Sequence, residues 1–308
     1  MLPVSTLVRR SVLVASITDE EALAGCWRHN ADAIALELPI SMRDTRAAVA
    51  QAITTARRGG AEVFVRLDKS RAFAQMNASV SPELAGVLLP HAESAAEVQS
   101  IEAMLAERER EEGIPEGQLE ILPVIGTARG IWNVRQIVNA SVRVRCTAID
   151  EVSLCRSLGI VASDDFDPFS FSRGRVIVET LAAIKLPLGI GHPLGARPRE
   201  VAEDELIRIA DRARNSGFKG ALCVAPSWVE PCNRAFTPTD EQVSYYRDVR
   251  TAFAEGVKRG TAAVPFPGGR MIDVPVDERA KLVIDWWERC RQRDAEKAAA
   301  LSAQWQMH

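Results

Sequence analysis

Three side chains stand where chemistry is usually placed, at the ends of short apolar runs. Arg66 closes the run in "VFVRLDK". A guanidinium there can hold a carboxylate or phosphate through two parallel hydrogen bonds, and that reading is favoured over a salt bridge to a neighbouring loop. His91 follows the run in "VLLPHAES". It suits a base or an anion contact, and equally a histidine that only packs a loop. Asp273 lies between apolar neighbours in "GGRMIDVPV". On a hairpin tip beneath a closing lid it would suit a general acid, whereas on a solvated hairpin it would only stabilise a turn, as its spacing alone favours.

A fourth stretch is notable for what it lacks. "LPVIGTARGIWN", Leu122 to Asn133, reads as a buried strand running into a helix, yet its junction of Gly126, Thr127 and Ala128 holds no acid, base or metal ligand. "GIGHPLG", Gly189 to Gly195, is glycine-rich like a phosphate cradle but matches neither the P-loop nor the dinucleotide fingerprint. It reads as a flexible loop.

The elements that must position these groups alternate along the chain. Candidate strands are Ser11–Ser16, Ala33–Leu38, Glu62–Asp68, Ala85–Pro90, Leu119–Gly126, Val142–Ile149, Leu186–Ile190 and Ala221–Pro226. Stretches of helical period lie between them, such as "RDTRAAVAQAITTARR" and "SAAEVQSIEAMLAERER". Several strands are continuously apolar, as strands buried on both faces of a parallel sheet are. Eight such units fit an α/β fold of the (β/α)8 TIM-barrel type better than an open Rossmann-like sheet, because no glycine fingerprint follows the first strand.

Beyond a helix at about 239–259 the chain adds more. "TAAVPFPGGRMIDVPV" reads as a β-hairpin, and a long helix follows. The expected division is a barrel domain over 1–260 and a lid hairpin with helix over 261–308, the latter a candidate oligomer arm. Trp286 and Trp287 are adjacent and cannot share one helix face; one meets a partner chain, or both cap the barrel's own surface.

Composition narrows the class. With 47% hydrophobic residues among 308 and a formal net charge of −3, nothing points to nucleic acid or an anionic membrane surface. No apolar run reaches the length of a membrane span. The start, "MLPVSTLVRRSVLVAS", lacks the features of a signal peptide and reads as the first strand. Six cysteines show no zinc spacing and read as buried thiols of a cytoplasmic protein, and the four histidines are too scattered for a metal cluster.

"RRSVLV", "ADAIALEL", "VFVRLD", "GVLLP", "IGTARGIWN", "GFKGALCVAPSWVEPCNRAFTPTDEQV" and "GGRMIDVPVDERA" together resemble the citrate lyase β-subunit-like group of the HpcH/HpaI aldolase family, over about Arg9 to Ala280. The resemblance implies a TIM barrel, a trimer or larger homo-oligomer, and lyase or aldolase chemistry. The bond made or broken is a C–C bond of a 3-hydroxy acid or its CoA thioester, of the malyl-, citramalyl- or citryl-CoA type. It implies Mg²⁺ as cofactor. It implies Arg66 as the substrate-carboxylate arginine and Asp273 as an acid delivered from a neighbouring subunit. Asn233, Arg234 and Phe236 would lie near the CoA-binding mouth, and Thr127 remains a candidate substrate contact.

The departures explain the bare junction. The family's Ile-Glu-Thr, whose Glu binds the metal, is here Ile125-Gly126-Thr127. The second ligand, an Asp, is replaced by Ser153, and a later Asp by Ser157. The Asp-Leu-Glu-Asp run is Glu37-Leu38-Pro39-Ile40; Asp68 stands for an Asn, His91 for a Lys and Ala225 for a His. Glu37, Asp68 and Glu151 are the carboxylates that could form a relocated site, Glu151 if it lies on a strand and points to the same side as Ser153. Two other readings stay open: a non-catalytic CoA- or carboxylate-binding homologue, and a metal-free reaction with His91 as base.

Overall fold

A computed structural model describes residues 7–39, 45–160, 167–191, 201–268 and 270–305. Eight parallel strands are present: β1 Ser11–Ser16, β2 Ala33–Glu37, β3 Glu62–Arg66, β4 Gly86–Leu89, β5 Glu120–Ile125, β6 Cys146–Ile149, β7 Leu186–Leu188 and β8 Ala221–Cys223. Their order in the sheet is β7-β6-β5-β4-β3-β2-β1-β8. A parallel bridge from Leu188 to Gly220 brings β7 back to the start of β8 and completes the round. Gly220 is needed there, because a Cβ would stand 1.9 Å from the carbonyl oxygen of Arg9. The expected (β/α)8 barrel is therefore the observed fold. All eight strands fall where the apolar runs put them, although β6 starts at Cys146 rather than Val142, with exposed Val142 in the turn before it.

The intervening helices are α1 Glu20–Gly25, α2 Thr45–Arg57, α3 Ala72–Ser79, α4 Ala95–Glu112, α5 Ala128–Trp132, α6 Val134–Val138, α7 Glu151–Leu158, α8 Ser170–Ala182, α9 Glu203–Ser216 and α10 Val229–Ala235. Their ends follow local chemistry. Ser94 and Asp150 accept the free N–H groups that open α4 and α7, and left-handed Gly113, Gly159 and Gly217 close α4, α7 and α9.

The N-terminal face of the barrel is locked by buried charge. Arg9, fully buried, donates to Glu62 at 2.7 Å and to Glu120 at 2.8 Å, tying the starts of β3 and β5. Asp32 accepts from Arg10 at 2.9 Å and from Lys297 at 2.7 Å. Burial alone would raise the Asp32 pKa, but the hydrogen bonds and charges of Arg10 and Lys297 outweigh it and hold it at about 2.

Contacts divide the chain into two compact units, 1–236 with 297–308, and 237–296. The division differs from the expected boundary at 260. In the second unit, α11 (Asp240–Lys258) shares a small core with the hairpin β9 (Val264–Phe266) and β10 (Arg270–Ile272) and with the start of α12 (Val274–Trp305), through Val249, Val264, Ile272 and Ala280. Trp287 belongs to this unit's own packing: its indole N–H donates to Asp240 at 3.2 Å, and Arg247 and Arg291 lie over its ring.

Candidate active site

Register places the functional groups at the C-terminal ends of the strands, the face on which barrel enzymes work. Ser16 pairs with Glu37, Glu37 with Arg66 and Arg66 with Leu88, one lateral row across β1 to β4. Arg66 Nη1 donates to Glu37 Oε1 at 2.8 Å, and both side chains remain partly open to solvent. That bond uses one of five N–H donors, leaving the rest of the fork for a ligand. Glu37 is thus the partner of Arg66, not a free metal ligand.

The next three strand ends meet around the bare junction. The ring of His91, two residues past β4, lies beside Gly126 at the end of β5, and Ser153 of α7 is close to the same point. A Cβ built on Gly126 would stand 2.8 Å from His91 Nδ1 and 3.0 Å from Ser153 Cβ. The backbone of Gly126 is not left-handed, so the missing side chain serves space rather than conformation. His91 itself has φ 49°, in the left-handed region that non-glycine residues seldom adopt. Its Nδ1 is buried with no hydrogen-bond partner. The loop around it is pinned from two directions. Lys69 Nζ donates to the His91 carbonyl at 2.6 Å and pairs with Glu97 at 3.0 Å, and Ala92 N–H donates to the Val124 carbonyl at 3.0 Å.

The other candidate residues have local duties. Thr127 caps α5, its hydroxyl accepting from Gly130 N–H at 3.0 Å. Ser153 Oγ donates to Asp150 Oδ2 at 2.7 Å. Asp68 accepts from the hydroxyl and N–H of Ser70, which hold its pKa below the usual carboxylate range. Glu151 does not lie on a strand: it is the first residue of α7, buried, and gripped by both Nε and Nη2 of Arg173. Sequence reasoning missed Asp150, whose signal was the Asp-x-x-Ser pattern of a helix cap.

Several expectations are corrected. Asn233 does not line the mouth. It is buried in α10, accepting from Ser11 Oγ at 2.8 Å and donating to the Asn30 carbonyl at 2.9 Å, both at the N-terminal face where strands β1 and β2 begin. Phe236 is a core residue, 1% exposed, and Arg234 is exposed on α10. Asp273 is not on the hairpin tip, which lies between Phe266 and Arg270. It is exposed at the start of α12, where its Oδ1 accepts from Val276 N–H at 3.1 Å. The "GIGHPLG" loop from 192 on, like Ile40, lies outside the described residues.

Magnesium requires near-octahedral oxygens anchored by carboxylates. At the two positions that the family resemblance makes ligands, Gly126 offers no side chain and Ser153 a hydroxyl already given to Asp150; Glu37 and Glu151 are held by arginines. Any side chain at 126 would collide with His91. Among the described residues no three His, Cys, Asp or Glu groups come together as a metal site. The donors present do not fit a magnesium ion at the family's position.

Fold and strand-end row together define a (β/α)8 barrel protein with its polar groups at the C-terminal ends of the strands. The chain belongs to the HpcH/HpaI aldolase/citrate lyase family, whose model matches residues 10–226. It is 26% identical over 286 residues to the citrate lyase subunit beta of Haemophilus influenzae, covering 90% of this chain and 96% of that one. It is 23% identical over 216 residues to an L-malyl-CoA/beta-methylmalyl-CoA lyase of Cereibacter sphaeroides, covering 64% of this chain and 65% of the other. Its fold is similar to the CitE protein of Mycobacterium tuberculosis, solved with magnesium, acetoacetate and coenzyme A, at a TM-score of 0.67 and 20% identity over 92% of this chain and 99% of that one. In the described residues no helix is long and apolar enough to cross a membrane.

Proposed function

We propose that this chain makes or breaks a C–C bond in a 3-hydroxy acid or its CoA thioester, of the malyl-, citramalyl- or citryl-CoA type. The observation that carries the reading is Arg66: a guanidinium at the working face of the barrel, paired through one nitrogen and open at the others. It supplies the carboxylate clamp that such substrates need. Cleavage then requires the 3-hydroxyl to lose its proton as the carbonyl forms, while the bonding pair leaves as an enolate that takes up a proton at carbon. The family's magnesium would polarise that oxygen in proteins that hold it; here Arg66 ends β3 and His91 follows the neighbouring β4. The six free cysteines support a cytoplasmic setting. A homo-oligomer in which the second unit carries Asp273 to another copy belongs to the same proposal, and sedimentation at micromolar concentration tests it.

The function is tested by assaying malyl-, citramalyl- and citryl-CoA for cleavage. Turnover of one of them should fall in Arg66→Ala by roughly 10- to 100-fold, the worth of a charge-assisted hydrogen bond of about 1.5–3 kcal/mol. A second reading, a non-catalytic CoA- or carboxylate-binding homologue, draws on the filling of the family's glutamate position by His91. Folded wild-type protein that turns over none of the three, yet is stabilised against heat by acetyl-CoA, would favour it.

A further inference from the structure

His91 carries two independent anomalies in one residue: a left-handed backbone at φ 49° and a buried Nδ1 without a partner. Strained non-glycine residues and orphaned buried polar atoms both persist only where the surroundings over-determine them, and both concentrate at working sites. The surroundings here do over-determine the ring. The loop is fixed by Lys69 and by β5, and the space beside it exists only because residue 126 has no side chain. His91 as a whole is half-buried, and it follows β4, whose Leu88 pairs with Arg66 at the end of β3.

We infer that His91 is the substrate-contacting residue of this pocket, hydrogen-bonding the oxygen on the carbon at which the bond is broken, with Gly126 kept bare to seat its ring. Resting on the proposed lyase reading, the step follows. The imidazole takes the 3-hydroxyl proton as that oxygen becomes a carbonyl, the C–C pair moves onto the departing acyl fragment as an enolate, and the imidazole returns the proton to the enolate carbon. One proton moves from oxygen to carbon, nothing is oxidised or reduced, and the histidine is regenerated. The substrate class is a 3-hydroxy acid bearing a carboxylate for Arg66, and the keto product is a 2-oxo acid.

The full chain contains four histidines, so ¹⁵N-histidine labelling yields a short imidazole spectrum in which His91 is identified by elimination with variants of His29, His192 and His308. Oxaloacetate, a 2-oxo dicarboxylate, is the probe. The expected result is movement of the His91 imidazole signals on titration, with binding at least tenfold weaker in His91→Gln and in Gly126→Ala. On a thioester the wild type cleaves, kcat should fall about a hundredfold or more in His91→Gln with a smaller change in KM, as loss of a general base requires. Turnover and oxaloacetate binding that survive His91→Gln, with His91 signals unmoved in the wild type, would overturn the inference and leave the lyase reading standing. His91 signals that move in a protein without turnover would keep the contact and remove the lyase reading. Absence of both binding and turnover would overturn both.

Discussion

Gly126→Ala is the smallest perturbation that probes the packing on which the site depends. The added Cβ would lie 2.8 Å from His91 Nδ1 and 3.0 Å from Ser153 Cβ, inside the separation of about 3.5–4 Å at which heavy atoms pack favourably. Overpacking of this kind costs about 1–3 kcal/mol. Replacing a glycine whose backbone is not left-handed stiffens the unfolded chain and returns about 0.4–1 kcal/mol. The net expectation is a loss of roughly 1–2 kcal/mol. In a His91→Ala background the ring is gone and only Ser153 crowds the new methyl, so most of the cost should vanish, a coupling of about 1 kcal/mol. Urea denaturation of the wild type, both single variants and the double variant gives the cycle, read from midpoints at constant slope. A neutral or stabilising Gly126→Ala, or one equally costly in both backgrounds, would refute the claim that Gly126 makes room for the imidazole.

Three further outcomes follow from the structure. Asp32→Asn leaves two buried cations, Arg10 and Lys297, without their carboxylate, and should cost about 3–5 kcal/mol in denaturant unfolding at pH 7. Because the folded Asp32 pKa lies at about 2, below its ordinary value, its contribution is complete above roughly pH 4 and fades as pH falls towards 2. Wild-type stability should therefore drop by roughly 1 kcal/mol from this residue between pH 5 and 3, a decline the variant lacks. Burial pushes the Cys26 and Cys146 thiols up to about 11, so titration of the native protein at pH 8 with an aromatic disulfide should leave both unreacted, with all six thiols appearing in guanidinium. Arg173→Met strands the buried carboxylate of Glu151 and should destabilise by about 3 kcal/mol or more, where the charge-keeping Arg173→Lys loses less.

The barrel was legible because each strand is a short apolar run bounded by turn residues, and strands covered on both faces need no more specific signal than that. The hairpin and long helix were legible from Pro267-Gly268 and from the helical period that follows. Allegiance was not: the period of α11 shows that one face is buried, but not that Val249 packs on Val264 and Ile272 instead of on the barrel. Arg66 was legible as the residue ending β3. Its pairing with Glu37 depends on strand register, which no local pattern states. The contact of His91 with Gly126 joins residues from different strand ends, and its sole trace in sequence was a glycine at a junction whose backbone does not need one. Asn233 and Phe236 were assigned through the family motif, which does not say which end of the barrel they face. In the structure Asn233 ties Ser11 to Asn30, while Phe236 fills the core.

The central proposal is that this barrel works without the magnesium carboxylates that the family resemblance implies, with His91 beside Gly126 in their place. The most direct test is the rate of cleavage of a 3-hydroxyacyl-CoA such as malyl-CoA, measured with Mg²⁺ and again after exhaustive treatment with EDTA. The account predicts turnover at the same rate in both. Turnover that EDTA abolishes and added Mg²⁺ restores would contradict it.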